Sequence, residues 1–385
     1  MGMKIAITHH STFDRVRRGS ERFIDELAPF MAARGHDVTV LACRPGPSQI
    51  VRDRGFVTIY ERSLWRPAMA RIGVLEHHTF LPTAFLALIK RRFDVVHSMS
   101  FTDGFAAGLL RKLGGAPNVL TVNGLPKQHH MRSVTLGGAI FKRAVQYASV
   151  VLAPSSFVED YVRKRWGRST IRYPGTVDME LFHLSRKRNH QRPIILCTAA
   201  LEEPRKGGRV LMRAFNRVKT RCPEAILHVA HFVPEECRHH LLQSVFPDHR
   251  GDVRFDPVLP EDLPGAYGRA AVTVLPSYGE VFGMVLTESM ATGTPVVGTR
   301  HGGIPDIITS DSVGRLFEPG PAEEGGASNF EGLADVILET LRLSRCDRTA
   351  ERCREHVAKY AWPVLGQFLE SIYLQLVSER LRRKK

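Results

Sequence analysis

The sequence lacks the marks of a metal-thiolate, disulfide-stabilised or membrane-spanning protein. Its six cysteines are scattered, with no C-x-x-C pair and no histidine at a spacing that suits zinc, so we interpret them as reduced thiols of a cytoplasmic protein. The longest charge-free apolar stretch of the N-terminal region, Thr79 to Ile89, is shorter than the roughly 20 residues that a membrane span needs. No basic and then apolar leader precedes the first strand-like segment at Lys4, so no signal peptide is expected.

Acidic residues are scarce in the first half of the chain. Residues 1–190 contain 29 Lys and Arg against 14 Asp and Glu, whereas residues 191–385 contain 25 against 25. The whole net charge of +15 therefore lies in the first half. A basic surface restricted to one half indicates an anionic partner, such as a lipid surface, a phosphorylated acceptor or nucleic acid. The alternative is a charge that only keeps the protein in solution.

Apolar segments of strand length alternate with helical patterns along the whole chain, which is long enough for two domains. Lys4–Thr8 has the character of a buried strand, and a helical repeat of apolar residues follows from Ser20 to Arg34. This rhythm predicts an α/β protein whose parallel sheets are covered by helices on both faces. The other predicted strands are 37–41, 94–97, 118–122 and 150–153 in the first half, and 194–197, 225–230, 253–255, 272–275 and 295–298 in the second.

A polar and charged segment, residues 184–192, separates the two halves and predicts a linker. We therefore expect two doubly wound, Rossmann-like domains facing a central cleft, one over residues 1–185 and one over 193–361, with a C-terminal helix over 362–385. Open α/β sheets bind ligands at the carboxyl ends of their strands, so the cleft is the expected site. The chain has no G-x-G-x-x-G segment, which leaves dinucleotide binding through that motif unsupported.

The segment from Ser277 to Gly293 is the most informative part of the sequence. It leaves a predicted strand through a turn and enters a helix, so that the backbone N–H groups of Phe282, Gly283 and Met284 lie at a helix N-terminus, where a phosphate is favoured. Glu280 lies at the mouth of this turn and Glu288 about two helical turns further on. Carboxylates accept paired hydrogen bonds from vicinal hydroxyls. The spacing alone also permits Glu280 to be a helix cap and Glu288 a solvated surface residue.

The two carboxylates, with seven residues between them and Phe282-Gly283 inside, form an E-x7-E pattern. In this the sequence resembles the retaining, nucleotide-sugar-dependent glycosyltransferases of the GT4 type (glycosyl transferases group 1), which have the GT-B fold. The resemblance covers essentially the whole chain, and its second-half motifs are specific when taken together. Its further segments are 19–22, 34–38, 94–97, 203–207, 263–267, 291–297 and 302–306.

The resemblance implies a role for each matching residue of the second half. Glu288 would accept hydrogen bonds from the ribose of the donor, and Glu280 would contact the transferred sugar. Lys206 matches the phosphate-binding lysine, where a fixed cation would lower the barrier to breaking the sugar–diphosphate bond. Residues 256–259 match a loop whose backbone pairs with the nucleobase, and the helix at 362–385 matches one that returns to the first domain. The remaining donor-binding positions are Arg205 and the backbone of Phe282, Gly283, Met284 and Val285.

The first half carries one more matching position, and each half carries one departure from the family pattern. Gly19 matches the glycine of a loop that approaches the diphosphate, whereas Arg205 is also readily explained as a solvated surface residue. Many members have a histidine at the position of Asn123, and most have an arginine at the position of Ala200. Asn123 can hydrogen-bond a sugar hydroxyl but cannot act as an acid or base. His129 and His130 follow nearby, and a basic loop is the simpler interpretation of that pair.

The resemblance also implies a substrate set without a cofactor. No D-x-D triplet is present to hold a divalent metal under a diphosphate, so a metal-free site with a nucleoside diphosphate sugar as donor is expected, a UDP-sugar in preference to a GDP-sugar. The acceptor would be a hydroxyl compound, with a lipid-linked or anionic acceptor left open, and no nucleic acid is expected. The predicted function is retaining hexosyl transfer in the cytoplasm. The alternative is a non-catalytic, basic surface-binding protein on a GT-B scaffold.

A segment of the first half could also contact a membrane. Residues 131–148 carry apolar residues at helical spacing, with Lys142 and Arg143 on the other side. An ordinary domain helix is one interpretation, and a helix resting on the inner face of an anionic membrane is the other. For the second, the expected contacts are Lys142, Arg143 and Arg163, Lys164 and Arg165, with Ile140 and Phe141 as apolar anchors.

Overall fold

Two β-sheets organise the chain, one in each of the two units into which its contacts divide it. The computed structural model describes residues 2–16, 19–65, 67–72, 76–125, 136–185, 191–321 and 327–384. Unit 1 comprises Met1–Pro174 and Pro363–Lys385, and unit 2 comprises Gly175–Trp362. In the described ranges, no helix is long and apolar enough to cross a membrane.

Unit 1 is built on an eight-stranded sheet with the order β3-β4-β2-β1-β5-β6-β7-β8. All of its neighbouring strands are parallel except the edge hairpin β3–β4. The central strands are runs of apolar residues because helices cover both faces of the sheet. The strands are β1 (Lys4–Thr8), β2 (Asp37–Arg44), β3 (Gln49–Asp53), β4 (Phe56–Arg62), β5 (Val95–Ser98), β6 (Asn118–Thr121), β7 (Val150–Ala153) and β8 (Ile171–Arg172).

Helices of unit 1 connect these strands and bury one face each. Helix α5 (Ser156–Trp166) shows how local sequence sets the bounds: Ser155 accepts a hydrogen bond from the Val158 N–H at its start, and Gly167 ends it in the left-handed conformation. The helices are α1 (Gly19–Ala33), α2 (Glu76–Ile89), α3 (Phe101–Lys112), α4 (Leu136–Tyr147) and α5 (Ser156–Trp166).

Unit 2 repeats the doubly wound pattern with a six-stranded, all-parallel sheet of order β11-β10-β9-β12-β13-β14. The two sheets confirm the predicted α/β class with two Rossmann-like parts. The strands are β9 (Ile194–Cys197), β10 (Ile226–Val229), β11 (Val253–Phe255), β12 (Val272–Leu275), β13 (Val296–Thr299) and β14 (Gly314–Phe317). The helices are α6 (Gly208–Arg221), α7 (Glu235–Leu242), α8 (Leu263–Arg269), α9 (Met284–Ala291), α10 (Ile304–Ile307), α11 (Phe330–Leu343) and α12 (Thr349–Val357).

The division between the units differs from the boundary that the sequence suggests. Residues 175–185 belong with unit 2 rather than with the first domain. Phe182 is buried there beside Tyr267, and the Arg354 guanidinium donates hydrogen bonds to the carbonyls of Met179 and Phe182. Unit 2 thus begins before the predicted linker, of which residues 186–190 lie outside the described part of the chain.

The final helix, α13 (Trp362–Lys384), lies in unit 1 from Pro363 onward. Glu370 accepts a hydrogen bond from His36 Nε2 at 2.9 Å and forms an ion pair with Arg34. Tyr373, fully buried, is hydrogen-bonded to Nδ1 of His97 in β5, and the other ring nitrogen of His97 lies 2.6 Å from the Thr121 hydroxyl. These contacts hold the last helix on the first unit's sheet.

Helix α4 is an ordinary domain helix along its described length. Phe141, 4% exposed, stacks on Trp166 at a centroid distance of 4.8 Å and contacts Phe101, while Lys142 and Arg143 are exposed. A side chain buried between two aromatic rings cannot anchor in a lipid bilayer, so the expectation for Phe141 as a membrane anchor is wrong. Residues 131–135 of the predicted helix, and His129 and His130, lie outside the described residues.

The buried imidazole of His97 is expected to make the stability of the fold depend on pH. Burial lowers the pKa of its imidazole to about 3, whereas an unfolded histidine titrates near 6.5. Below pH 6.5 the His97 imidazole therefore binds a proton in the unfolded chain but not in the folded chain, and stability falls as the pH drops toward 3. We expect the free energy of unfolding to fall by roughly 2–4 kcal/mol between pH 7 and pH 4 because of this group.

The measurement is urea denaturation across that pH range. His97→Gln should flatten the pH dependence even if it lowers stability at every pH, because only the slope reports the titration. The exposed His239 offers a matched control, and His239→Gln should leave the slope of the parent unchanged. A slope that His97→Gln does not alter would contradict this assignment.

Candidate active site

The order of the strands in unit 2 brings two loops together. The sheet reverses its order between β9 and β12, and such a switch point opens a crevice at the carboxyl ends of the strands. The loop after β9 ends in a single helical turn, Pro204–Lys206, and the Tyr278 N–H, after β12, donates a 2.7 Å hydrogen bond to the Arg205 carbonyl. Gly207 completes the contact: its φ is +76°, and a Cβ there would lie 2.3 Å from the Pro276 carbonyl oxygen.

Lys206 and Glu280 form an ion pair across these two loops. The Nζ–Oε2 distance is 2.6 Å, and the side chains are only 15% and 17% exposed. Burial raises the pKa of the Glu280 carboxyl, but the adjacent Lys206 charge and its hydrogen bond, with a further contribution from Arg205, outweigh burial and leave that pKa below its usual value. Glu280 is therefore ionised at neutral pH and faces a fixed cation.

The backbone around Glu280 is fixed from a second side by the loop after β13. The Gly303 N–H donates a 2.7 Å hydrogen bond to the Glu280 carbonyl. His301 stacks on Tyr278 with ring centroids 3.8 Å apart, and its Nδ1 accepts a hydrogen bond from the Gly279 N–H at 2.9 Å. Because burial lowers the pKa of His301, its Nδ1 keeps the lone pair that this bond needs. The loop after β12, which carries Glu280, is thus held in place by contacts within the protein.

Helix α9 begins directly after the loop that follows β12, as the sequence predicts. Gly283 precedes the helix with φ +114°, a conformation that glycine adopts without a Cβ penalty. The Phe282 side chain is buried against Tyr360, so only its backbone can meet a ligand. Met284 and Val285 are partly exposed in the first turn of the helix. Backbone donors at this N-terminus suit an anionic group.

Glu288 lies on the second turn of α9 and is buried, with 4% exposure. The Tyr267 hydroxyl donates a 3.0 Å hydrogen bond to its Oε2, and the same hydroxyl lies 3.3 Å from that of Thr198, just after β9. The carboxylate is therefore held by a chain of hydroxyl groups at the carboxyl end of the sheet. The interpretation of Glu288 as a solvated surface residue is wrong.

The remaining predicted positions are partly or fully accessible. In unit 1, Gly19 is exposed at the start of α1, and Asn123 is half-buried after β6 with its amide donating to the Met99 carbonyl at 3.3 Å. In unit 2, Arg205 points its guanidinium to Glu203 at 2.9 Å, as a partly solvated residue would. The predicted nucleobase loop, residues 256–259, is largely exposed, and the Asp256 carbonyl is hydrogen-bonded to the His228 ring.

Sequence patterns found Lys206, Glu280 and Glu288 but neither the ion pair of the first two nor the residues that support them. Tyr267 and His301 are the two supporting side chains that the sequence reading missed. A histidine immediately before the Gly302-Gly303 pair was the available signal, because two glycines after a strand mark a close approach of backbone.

A cavity of about 290 Å³ is lined by Pro204 and by residues of α6 and α7. It does not include Lys206, Glu280 or Glu288, so it is separate from the ion pair. Its polar lining includes Glu202, Arg209, Arg213, Glu236, Cys237 and His240.

Within the described ranges, one group of candidate metal ligands comes together, in unit 1. Ligand atoms of His9, His10 and Glu21 lie within 4.8 Å of one another. His9 Nδ1 is 3.9 Å from Glu21 Oε1 and only 2.9 Å from the Ser11 carbonyl. The same His9 nitrogen lies 3.3 Å from the Ser11 N–H, so the backbone of Ser11 engages it from two atoms.

Comparison with known proteins extends these observations. Residues 17–178 match the profile described as Glycosyltransferase Family 4, and residues 192–341 match the one described as Glycosyl transferases group 1. The D-inositol 3-phosphate glycosyltransferase of Corynebacterium diphtheriae is 28% identical, over 92% of this chain and 89% of that protein.

Solved structures show the same fold. Sucrose-phosphate synthase from Thermosynechococcus elongatus superimposes with a TM-score of 0.81 at 20% identity, over 98% of this chain and 100% of the other. Anabaena HepE in complex with UDP and glucose superimposes with a TM-score of 0.69 at 16% identity, over 96% and 99%. The predicted GT-B fold is thereby confirmed. With the two profiles spanning most of both units, the chain belongs to the group 1 glycosyltransferases of family 4.

Proposed function

We propose that this glycosyltransferase moves a hexose from a nucleoside diphosphate sugar to a hydroxyl acceptor with retention at the anomeric carbon. The observation that carries the proposal is the partly buried Lys206–Glu280 ion pair at the switch point of the unit 2 sheet. Lys206 supplies a cation for the diphosphate, and Glu280 supplies an acceptor for sugar hydroxyls. Neither role needs a metal ion.

The proposed donor site uses the rest of the switch point. The backbone N–H groups of residues 282–285 face the diphosphate, Glu288 accepts from the ribose hydroxyls, and Arg205 adds positive charge nearby. When the bond between the anomeric carbon and the diphosphate oxygen breaks, negative charge grows on the leaving phosphate, and Lys206 stabilises it. The acceptor oxygen then bonds to the same carbon, and its proton goes to the leaving phosphate.

The proposed contributions of unit 1 concern the donor sugar, its diphosphate and the acceptor. Asn123 hydrogen-bonds a sugar hydroxyl without exchanging a proton, and Gly19 lets the backbone come close to the diphosphate. The excess of positive charge in this unit favours an acceptor that carries phosphate. The relative from Corynebacterium diphtheriae is a D-inositol 3-phosphate glycosyltransferase, and a phosphorylated polyol is therefore the first acceptor to test.

A donor panel tests the proposal. UDP, GDP and ADP sugars are offered with inositol 3-phosphate, nucleotide release is measured, and the product anomer is assigned by NMR. We expect selective turnover of one base, a UDP-sugar first because Anabaena HepE was solved with UDP and glucose. We also expect the donor's own anomeric configuration in the product.

Calorimetric titration of free nucleoside diphosphates distinguishes the proposed enzyme from the alternative, a non-catalytic surface-binding protein. An enzyme needs selective binding of one base, whereas a non-catalytic surface-binding protein does not. Absence of both selective nucleotide binding and turnover would favour the second function, for which Asn123 and Ala200 are the supporting departures.

A further inference from the structure

The ends of three helices bring a set of cations to one edge of unit 1. Helices α3, α4 and α13 end there, next to the amino ends of β6 and β7. Arg380, near the end of α13, reaches the carbonyls of Phe93 and Gly114 at 3.4 and 3.5 Å, which brings the C-terminal helix to the end of α3. The residues of this surface, the basic edge, are Arg111, Lys112, Arg143, Arg168, Arg380 and Arg383.

Hydrogen bonds tie two of these arginines to the end of α4. Arg111 Nε donates to the Tyr147 carbonyl at 2.9 Å, and Arg168 Nη2 donates to the carbonyls of Ala148 and Ser149 at 2.8 and 3.1 Å. Lys112 and Arg143 both lie over the Tyr147 ring, 5.6 and 5.9 Å from its centroid. The cations therefore form one continuous surface around the C-terminus of α4.

No anion balances this surface within the described ranges, where none of the six cations forms an ion pair with a carboxylate. Two acids that are near these cations along the chain contact neutral donors: Asp94 accepts from the Lys4 N–H at 2.8 Å, and Glu379 accepts from the Gln375 side chain at 3.0 Å. Burial, together with the charges of Arg168 and Arg383, lowers the pKa of Arg111. Like charges held this close favour the binding of an external anion.

Donor groups on the edge remain unused. A guanidinium carries five N–H donors, and the hydrogen bonds to Tyr147, Ala148 and Ser149 occupy only part of the ten donors on Arg111 and Arg168. Helix capping alone therefore does not account for the arginines of this edge.

Apolar side chains accompany the cations at the same helix ends. Leu113, at the end of α3, is 68% exposed, and Leu381, near the end of α13, is 59% exposed. Ile89, the last residue of α2, is 55% exposed and lies four residues before Phe93, whose carbonyl Arg380 contacts. Exposed aliphatic residues among cations are typical of surfaces that rest on anionic lipid, whereas nucleic acid is bound through aromatic stacking as well as charge.

The surface predicted from sequence lacks this combination. Arg163 and Lys164 both lie within ion-pair distance of Asp160, Arg172 pairs with Glu159, and Phe141 is buried. The positive charge along α5 is thus partly compensated, and the aromatic anchor is absent.

We propose that the basic edge docks on the surface of an anionic phospholipid bilayer, with lipid phosphates against its arginines and Leu113 and Leu381 at the interface. This contact goes beyond the sugar transfer proposed above and does not depend on it.

Vesicle co-sedimentation of the full chain tests the proposal. We expect binding to phosphatidylglycerol vesicles at low salt, loss of that binding at high salt, and no binding to phosphatidylcholine vesicles. Lys112→Glu with Arg383→Glu should weaken binding by at least about tenfold, since each cation near an anionic surface contributes a substantial share of the affinity. Leu113→Ser with Leu381→Ser should weaken it by about threefold or more.

The matched control is Arg163→Glu with Lys164→Glu, which changes the net charge by the same amount on the exposed face of α5. This control should weaken vesicle binding by at most about twofold if the contact is local, because the two charge variants have the same net charge. Three outcomes would each overturn the proposal. The first is an equal loss of vesicle binding in the two charge variants, and the second is no binding to anionic vesicles at low salt. The third is binding to single-stranded DNA that is as strong as vesicle binding and is unchanged in the leucine variant. Turnover of a soluble acceptor should persist in all these variants, so failure here is distinguishable from failure of the transferase function.

Discussion

Replacing Lys206 by alanine is expected to lower turnover by roughly 10²–10³-fold while nucleoside diphosphate affinity falls by less than about tenfold. The cation lies at the switch point, 2.6 Å from Glu280, where the diphosphate is proposed to bind. Its interaction with phosphate strengthens as the sugar leaves, because the negative charge on the phosphate grows only then. Steady-state kinetics and calorimetric nucleotide titration measure the two quantities separately.

A loss of turnover caused by destabilisation of the fold must be separated from one caused by the missing cation. Lys206→Ala leaves the Glu280 carboxylate, 17% exposed, without its cation, and a partly buried unpaired charge destabilises the fold. The double variant Lys206→Met with Glu280→Gln removes both charges, so its thermal stability should lie closer to that of the parent while its turnover stays low. Arg217→Ala, which removes a cation from an exposed ion pair with Asp335, should leave turnover within about twofold. Equal losses of turnover and nucleotide affinity in Lys206→Ala would show that Lys206 only binds.

Strand positions were the most predictable part of the fold. Predicted segments 150–153, 194–197, 253–255 and 272–275 coincide with strands, because a buried parallel strand is a short apolar run bounded by polar residues. The edge strand Gln49–Asp53 was not predicted, since most of its residues are exposed and carry no apolar pattern. The signal available in the sequence was Gly55, because Arg54 and Gly55 both have positive φ in the turn to β4, as a tight hairpin turn requires.

The site was predictable as a set of residues but not as a set of contacts. Lys206 and Glu280 each stand in a recognisable motif, yet they are 74 positions apart, and their pairing depends on how two loops meet at the edge of the sheet. Similarly, Phe141 and Lys142 are neighbours in an amphipathic pattern, and only packing against Trp166 decides that the ring is buried. Periodicity tells which face of a helix is apolar, whereas tertiary contacts tell what covers that face.

Glu288→Gln is expected to weaken nucleoside diphosphate binding by roughly tenfold to 100-fold, the loss of a hydrogen-bonded charge of about 1.5–3 kcal/mol. The side chain is 4% exposed and is held by the Tyr267 hydroxyl, so the carboxylate is oriented before the ligand binds. Glutamine preserves the volume and one acceptor oxygen but loses the charge and the second acceptor. Vicinal ribose hydroxyls donate best to an ionised carboxylate, which accepts two bonds at once.

A double-mutant cycle with the ligand identifies which part of the nucleotide Glu288 meets. The parent and Glu288→Gln are each titrated with a nucleoside diphosphate and with its 2′-deoxy form. If the carboxylate accepts from the ribose, removing the 2′-hydroxyl should cost the parent far more than it costs the variant, because groups in direct contact are not additive. Tyr267→Phe, which keeps the carboxylate but removes its orienting hydroxyl, should give an intermediate loss. Additive losses, or a variant that binds as tightly as the parent, would show that Glu288 serves the packing of α9 and does not touch the donor.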